Sequence, residues 1–137
     1  MSRDNIGHAF RMAAKYYDEK TLNHALRVAI YVSKNEMIPE NYMCDCISLA
    51  LMHDLLEDTE YKLEESCGEH FNKCLKLLTR DKNENYDDYI KRIHDNAADY
   101  ECAYWVKIAD MKDHLMLKDT LTDKMKEKYL SGLAHLL

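Results

Sequence analysis

Apolar residues recur along the chain at helical spacing, and few helix-breaking residues interrupt them. Near the start, an i, i+3, i+4, i+7 stripe typical of an amphipathic helix contains Ile6, Ala9, Phe10, Ala13, Ala14 and Tyr17. Near the end, an apolar residue stands at every fourth position: Leu121, Met125, Tyr129, Leu133 and Leu137. The pattern predicts an amphipathic helix at each end of the chain.

Between these two segments the same spacing predicts further helices over residues 21–33, 42–56, 71–78, 86–94 and 97–117. Pro39 and Asn41 mark the gap before the helix over 42–56, which reads as largely buried. The polar segment 57–70 contains Gly68 and is interpreted as a loop or a short helix. We therefore expect an all-α bundle of five to seven helices.

Composition agrees with a single soluble helical domain over residues 1–137. Only 3 Gly and 1 Pro are present, too few for the turns of a β-rich fold. A net charge of −6 disfavours nucleic acid polymers as partners, because a protein that follows a phosphate backbone needs excess positive charge. No signal peptide or membrane span is recognisable, so we expect a cytoplasmic protein without a membrane partner. The oligomeric state stays open.

The five cysteines, Cys44, Cys46, Cys67, Cys74 and Cys102, are scattered and form no C-x-x-C pair. An odd, scattered set does not resemble a disulfide framework. We interpret them as free buried thiols in a reducing compartment, and we expect no structural zinc site.

Charged residues interrupt the buried helix predicted over 42–56 and continue past its end. His53 and Glu57 are four residues apart, and so are Asp54 and Asp58, so in a continuous helix they share one turn. Burying such groups is costly unless a partner or a metal compensates. Taken alone, the segment is equally consistent with a helix that ends in a solvated acidic cap.

Two further polar residues stand in apolar helical surroundings. His24 lies among leucines and alanines in the helix predicted over 21–33, and Asp110 interrupts the apolar run 106–111. Together with His53 and Asp54 they supply two imidazoles and two carboxylates from three helices. This donor set suits Mn²⁺, Fe²⁺ or Zn²⁺, with positions left for water and substrate.

His24, the His53-Asp54 pair and Asp110 resemble the motif of the HD-domain metal-dependent phosphohydrolases. The run 53–59 is similar to the HD-x-x-EDT stretch of the guanosine tetra- and pentaphosphate (alarmone) hydrolases, which include RelA/SpoT-type domains and small stand-alone enzymes. Residues 106–110 resemble the VKLAD segment of that branch, and Lys128-Tyr129 resembles part of its closing helix. The similarity spans roughly residues 20–137.

The resemblance implies a compact HD-domain helical bundle and a role for each matching residue. His24, His53, Asp54 and Asp110 would be the ligands of one metal, usually manganese in this branch. The pair Glu57 and Asp58 would place or activate the attacking water. The implied reaction is hydrolysis of a 3′-pyrophosphate ester with release of pyrophosphate. Arg27 is predicted to contact a phosphate or to form a structural ion pair. Asp113 and His114 are predicted to contact the substrate, and Lys107 is predicted to be structural or solvated.

Two departures from the branch concern the substrate. The chain has residues 18–24 where the alarmone hydrolases usually carry G-x-PYI-x-H, and no guanine-holding arginine segment is recognisable. After Asp110 the family tends to read R-L-x-N, whereas this chain reads Met-Lys-Asp-His over 111–114. Three interpretations follow: an alarmone hydrolase, a phosphohydrolase of another nucleotide (a nucleoside monophosphate or a signalling nucleotide), and a non-catalytic module that binds a nucleotide or a metal.

Overall fold

A computed structural model describes residues 4–117 and 121–137, and within these ranges every regular element is helical. Seven helices of 9 to 16 residues and one single-turn helix follow one another in a compact bundle, which confirms the all-α prediction. They are α1 Asp4–Tyr16, α2 Glu19–Ser33, α3 Met43–Met52, α4 Leu55–Asp58, α5 Glu69–Leu77, α6 Tyr86–Asp95, α7 Glu101–Met116 and α8 Asp123–Leu136. Two short 3₁₀ turns cover Glu40–Tyr42 and Glu65–Cys67.

Helix α3 lies at the centre of the bundle and packs against α1, α2, α5 and α7. Its sequence explains this position, because residues 48–52 are buried without a polar stripe that could face water. Helix α7 joins this core to α8, and α8 also packs against α6. Gly132 on α8 allows the close contact with α6, because a Cβ at this position would lie only 2.9 Å from Tyr86 Cε1.

Side-chain caps set the starts of three helices. Asp18 accepts a hydrogen bond from the Thr21 backbone N–H at 2.7 Å, and Asn85 accepts one from the Asp88 N–H at 2.8 Å. Thr122 does the same for Met125 at 3.1 Å. Each cap satisfies one backbone donor that the first helical turn leaves without a partner.

The structure corrects several helix boundaries and faces. The helix predicted over 42–56 is interrupted, because α3 ends at Met52 and α4 begins only at Leu55. The helix predicted over 97–117 begins at Glu101, after a turn over 96–99. Phe10, predicted to face the core, is 48% exposed, and at the chain end Leu136 is buried whereas Leu137 is exposed.

The interruption at His53-Asp54 is explained by one contact within the segment and one with Tyr17, which follows α1. The His53 ring Nδ1 lies 2.6 Å from the Ala50 carbonyl oxygen, and the Asp54 N–H donates to the Tyr17 hydroxyl at 3.0 Å. Side chains therefore take over hydrogen bonds that a continuous helix would make within its backbone. The break turns both residues towards α2 and α7, so the four acidic and histidine groups do not share one turn of a single helix.

None of the helices in the described ranges combines the length and the apolar composition needed to cross a bilayer.

Candidate metal centre

Four predicted ligands from three parts of the fold meet at one point. The Nε2 atom of His24 on α2 lies 2.8 Å from Asp110 Oδ1 on α7 and 3.7 Å from Asp54 Oδ2. The Nε2 atom of His53 lies 3.2 Å from Asp54 Oδ2 and 3.4 Å from Asp110 Oδ1. Ligand atoms about 2.1 Å from one metal ion stand roughly 3 to 3.5 Å apart, so this spacing suits a shared cation.

His24 is oriented by a carboxylate on its far side. Its Nδ1 lies 2.6 Å from Asp113 Oδ2, which fixes Nδ1–H as the donor and directs Nε2 at the cluster. Asp113 in turn accepts hydrogen bonds from Arg27 Nε at 2.8 Å and from the Arg27 terminal nitrogen at 3.1 Å. A carboxylate behind a ligand histidine is the usual arrangement around protein-bound metals.

His53 provides the clearest test of whether a cation fits. Its ring is 2% exposed, and Nδ1 is occupied by the Ala50 carbonyl. Among the residues that the structure describes, no group makes a hydrogen bond of good geometry with the buried Nε2. A buried polar atom without a partner is costly, and a divalent cation between the four donors would satisfy it. The donor set therefore fits a metal ion.

The charges of the cluster depend on one another. Burial lowers the pKa of both histidines, but carboxylates outweigh it and raise each pKa above the ordinary value for histidine. These carboxylates are Asp110 and Asp113 for His24, and Asp54 and Asp110 for His53. Burial likewise raises the pKa of Asp110, and the ammonium of Lys107 with the facing imidazoles holds it well below its usual range. The carboxylates are thus ionised and ready to attract a cation.

Asp110 is held from two further sides. The Lys107 ammonium, predicted as solvated or structural, is buried and lies 2.8 Å from Asp110 Oδ2, so it serves a structural ion pair. His114 Nε2 lies 3.3 Å from Asp110 Oδ1, and its ring stacks on Tyr129 with centroids 4.6 Å apart. The structure therefore places His114 beside the candidate ligands, as an additional donor next to the cluster.

A cavity of about 260 Å³ opens on one side of the cluster and is lined by Asp54, Glu57, Asp58 and Asp110. Glu57 Oε1 accepts a hydrogen bond from the Arg80 backbone N–H at 2.8 Å, which fixes this carboxylate at the cavity wall. Burial and the neighbouring carboxylates of Asp54 and Glu57 raise the pKa of Asp58 to about 6. Both predicted catalytic carboxylates thus line the same cavity as the candidate ligands Asp54 and Asp110.

The same cavity contains positive and aromatic groups that the sequence analysis did not assign to the site. Arg80, Lys107 and Lys128 supply the cations, and Tyr86, Tyr89 and Tyr129 line the wall between them. Burial and the nearby charges of Arg80 and Lys107 lower the pKa of Lys128. Arg80, in the connector before α6, belongs to no motif of the family, whereas Lys107 lies in the VKLAD-like segment and Lys128-Tyr129 in the segment that resembles the closing helix.

A second cavity, of about 470 Å³, shares Asp54, Asp58 and His114 with the first. Arg27 and His24 also line it, together with Lys20 and Thr21 from the start of α2. Arg27 forms the predicted ion pair with Asp113, and because its side chain remains 38% exposed at the cavity, the phosphate contact stays a prediction. Asp113 is 1% exposed, so its position suits orienting His24 rather than contacting a substrate.

Comparison with protein-family models and with curated proteins finds no match for this chain. The function proposed below therefore depends on the geometry of the cluster and on the motifs in the sequence.

Proposed function

We propose that this chain is a metal-dependent phosphohydrolase of a small nucleotide, with guanosine 3′,5′-bis(diphosphate) as the first substrate to test. The observation that carries the proposal is the convergence of His24, His53, Asp54 and Asp110 beside two cavities. The order of these residues in the sequence, together with Glu57-Asp58, resembles the alarmone hydrolases and supports the same conclusion.

The four donors would hold one divalent cation, for which Mn²⁺ is the first candidate and Fe²⁺ or Zn²⁺ are alternatives. Such an ion supplies Lewis acidity, which stabilises negative charge on phosphate oxygens and lowers the pKa of water. The chain contributes the rest of the chemistry through the residues around the first cavity.

Glu57 is the proposed base, because its carboxylate is fixed at the cavity wall next to the ligands. It would orient the attacking water and accept its proton. Asp58, whose pKa is raised to about 6, keeps a protonated fraction near neutral pH and would donate its proton to the ribose 3′ oxygen as the bond between that oxygen and phosphorus breaks. The two neighbouring carboxyl groups thus divide base and acid roles between them.

The cations of the first cavity support a substrate with several phosphate charges. Arg80, Lys107 and Lys128 line a space that also contains four carboxylates. Lys107 is already paired with Asp110, which leaves Arg80 and Lys128 to balance phosphate charge.

A specific observation keeps a second substrate class open. The segment that holds guanine in the alarmone hydrolases is not recognisable, and Lys20 and Thr21 line the second cavity instead. A nucleoside monophosphate or another signalling nucleotide is therefore the alternative substrate. A non-catalytic binding module is the third candidate. It is disfavoured because a module that had lost its activity would be expected to have lost some of the candidate ligands or acidic residues.

The proposal is tested by incubating purified protein with Mn²⁺ and guanosine tetraphosphate and separating the nucleotides by ion exchange. We expect GDP and pyrophosphate from the wild type, none from Asp54→Ala, and normal turnover from Asp87→Asn, which alters an exposed carboxylate on α6. Protein that holds manganese without converting this substrate would shift the proposal to the second substrate class. Protein with neither metal nor activity on a nucleotide panel would leave the binding module.

The role of Glu57 gives a sharper prediction. Glu57→Gln keeps the size and the hydrogen-bond acceptor of the side chain but cannot take a proton at neutral pH. We expect metal content to be unchanged and kcat to fall by about 100-fold or more, which is typical for the loss of a general base. Metal analysis and single-turnover product release measure the two quantities separately. Full turnover by this variant would remove Glu57 from the proton-transfer step.

A further inference from the structure

A second group of metal-binding side chains lies between α1 and the loop that follows α4. The Nε2 atom of His8 on α1 is 3.0 Å from Glu64 Oε1, and the Cys67 thiol completes a set whose donor atoms all lie within 4.8 Å of one another. None of these residues belongs to the cluster around Asp110. We propose that His8, Glu64 and Cys67 form a second metal site, which takes Zn²⁺ and fastens the loop to α1.

Glu64 is held in place by groups that are not themselves candidate ligands. The Tyr61 hydroxyl donates to Glu64 Oε1 at 2.8 Å, and the Asn72 side-chain amide donates to the Glu64 carbonyl at 2.9 Å. Tyr61 is 5% exposed and packs edge-on against Tyr16 of α1. A buried hydroxyl that orients a ligand carboxylate is a typical supporting contact of a metal site.

The backbone brings Cys67 to the same side as Glu64. The Cys67 N–H donates to the Glu64 carbonyl at 3.1 Å, which closes the 3₁₀ turn over Glu65–Cys67. Gly68 then adopts a φ of 91°, a conformation that residues with a side chain rarely enter. This glycine ends the turn directly after Cys67, so the thiol stays next to the carboxylate three residues earlier.

The chemistry of the three donors favours zinc over manganese. A thiolate is a soft ligand that selects Zn²⁺, whereas the nitrogen and oxygen donors around Asp110 also suit Mn²⁺. Zinc is bound by sulfur, imidazole and carboxylate at about 2.0 to 2.3 Å, usually with four ligands, so three side chains leave one position for water. The side chains of His8 and Glu64 are 28% and 34% exposed, which allows the ion to enter from solvent.

The chain contains no C-x-x-C pair, yet one of its cysteines lies beside two other metal-binding side chains. Cys67 pairs with ligands 3 and 59 residues away, Glu64 and His8, so local cysteine spacing does not indicate the site.

The site would act on the loop beside the first centre. Thr59 ends α4 directly after the Glu57-Asp58 pair, and its hydroxyl donates to Leu55 O and accepts from the Tyr61 N–H. An ion that joins Glu64 and Cys67 to α1 would restrict the residues that follow this turn. The inference does not depend on the proposed hydrolase activity.

The test is metal stoichiometry by equilibrium dialysis against Zn²⁺ or Mn²⁺, followed by elemental analysis. We expect the wild type to bind two Zn²⁺ but one Mn²⁺, and Cys67→Ser to bind one of each. Cys44→Ser is the matched control, because Cys44 lies on α3 outside the group, and we expect it to behave as wild type. His8→Gln, which alters a more exposed ligand, provides the same test if Cys67→Ser does not fold.

Co²⁺ gives a second readout that is independent of the first centre. A cobalt–thiolate bond produces a near-ultraviolet charge-transfer band, which we expect in the wild type and in Cys44→Ser but not in Cys67→Ser. Equal zinc content in wild type and both ligand variants, or the absence of that band from the wild type, would overturn the proposal. The band tests this site even if the cluster around Asp110 binds no metal, so the two proposals fail separately.

Discussion

The bundle has a polar side, where several charged residues are buried, and an apolar side, where the buried residues are mainly hydrophobic. Where α2, the α3–α4 break and α7 meet, buried positions contain His24, His53, Lys107, Asp110 and Asp113. On the side of α5 and α6 the buried positions contain aliphatic residues such as Leu75, Leu78, Ile90 and Ile93. The first side costs free energy to assemble because each charge loses its hydration, whereas burial on the second side stabilises the fold.

Within this small domain, the residues that stabilise the fold and the residues that could bind a metal therefore lie on different sides. On the polar side Arg27 pairs with Asp113 and Lys107 with Asp110, whereas the buried Nε2 of His53 makes no hydrogen bond of good geometry with the described residues. Substitutions on the polar side should therefore affect metal binding first. Substitutions on the apolar side should lower the free energy of unfolding and leave metal binding intact.

The largest effect is expected at Asp110, which is both a candidate metal ligand and one half of a buried ion pair. Asp110→Ala removes a candidate ligand and leaves the Lys107 ammonium buried without its carboxylate. We expect complete loss of metal binding, and a loss of about 3–5 kcal/mol in the free energy of unfolding of the metal-free protein, as for other broken buried ion pairs. Urea unfolding and metal analysis measure the two effects.

The double variant Lys107→Met with Asp110→Ala separates the causes. It removes both charges, so most of the lost stability should return while metal binding stays absent. If Asp110→Ala alone unfolds at the wild-type urea concentration, the Lys107 ammonium is not held in a desolvated pair.

A purely apolar truncation should give the opposite result. Leu75 on α5 is fully buried, and Leu75→Ala should lower the free energy of unfolding by about 2–5 kcal/mol through lost burial and the cavity left behind. Metal stoichiometry at a temperature where the variant is folded should match the wild type. Loss of metal from the folded variant would show that the two sides are coupled more tightly than their contacts indicate.

A smaller effect on metal affinity is expected from Asp113, which contacts the candidate ligand His24. Asp113→Ala removes the carboxylate that orients His24 without removing any ligand atom. We expect the dissociation constant for Mn²⁺ to rise by about 10- to 100-fold, the range typical of such supporting contacts. Titration of Mn²⁺ with Asp87→Ala as the control measures this change. An unchanged constant would mean that His24 keeps its orientation without Asp113.

The smallest effect is expected at a helix start on the α6 side. Asn85→Ala removes the cap that accepts the Asp88 N–H and should cost about 1 kcal/mol of stability. Metal affinity should stay at the wild-type value, since Asn85 lies outside the cluster. A change in metal affinity for this variant would contradict the separation of the two sides.

Much of the fold was predictable because helical periodicity is a local property. The helices predicted over 21–33, 71–78 and 86–94 lie within two residues of α2, α5 and α6 at both ends. The break at His53-Asp54 was not predictable, because it depends on the Tyr17 hydroxyl, which is 37 residues away in sequence. Such a contact leaves no trace in local spacing.

The candidate ligands were predictable because each is a polar residue in an apolar context. His24, His53 and Asp110 stood out by this contrast alone, and the structure brings them together. Arg80 and Lys128 carry no such contrast, since charged residues are expected in an exposed connector and on an exposed helix face. Their contribution to the cavity follows from how α6, α7 and α8 pack, which the sequence pattern does not specify.

The most direct test of the account is the number of Mn²⁺ ions bound per chain, measured by titration with electron paramagnetic resonance of the free ion. The buried cluster predicts one Mn²⁺ for the wild type and none for His53→Ala, which removes the nitrogen that lacks a partner among the described residues. A wild-type chain that leaves all Mn²⁺ free, or a His53→Ala variant that binds it as tightly as the wild type, would contradict the assignment of this cluster as a metal centre.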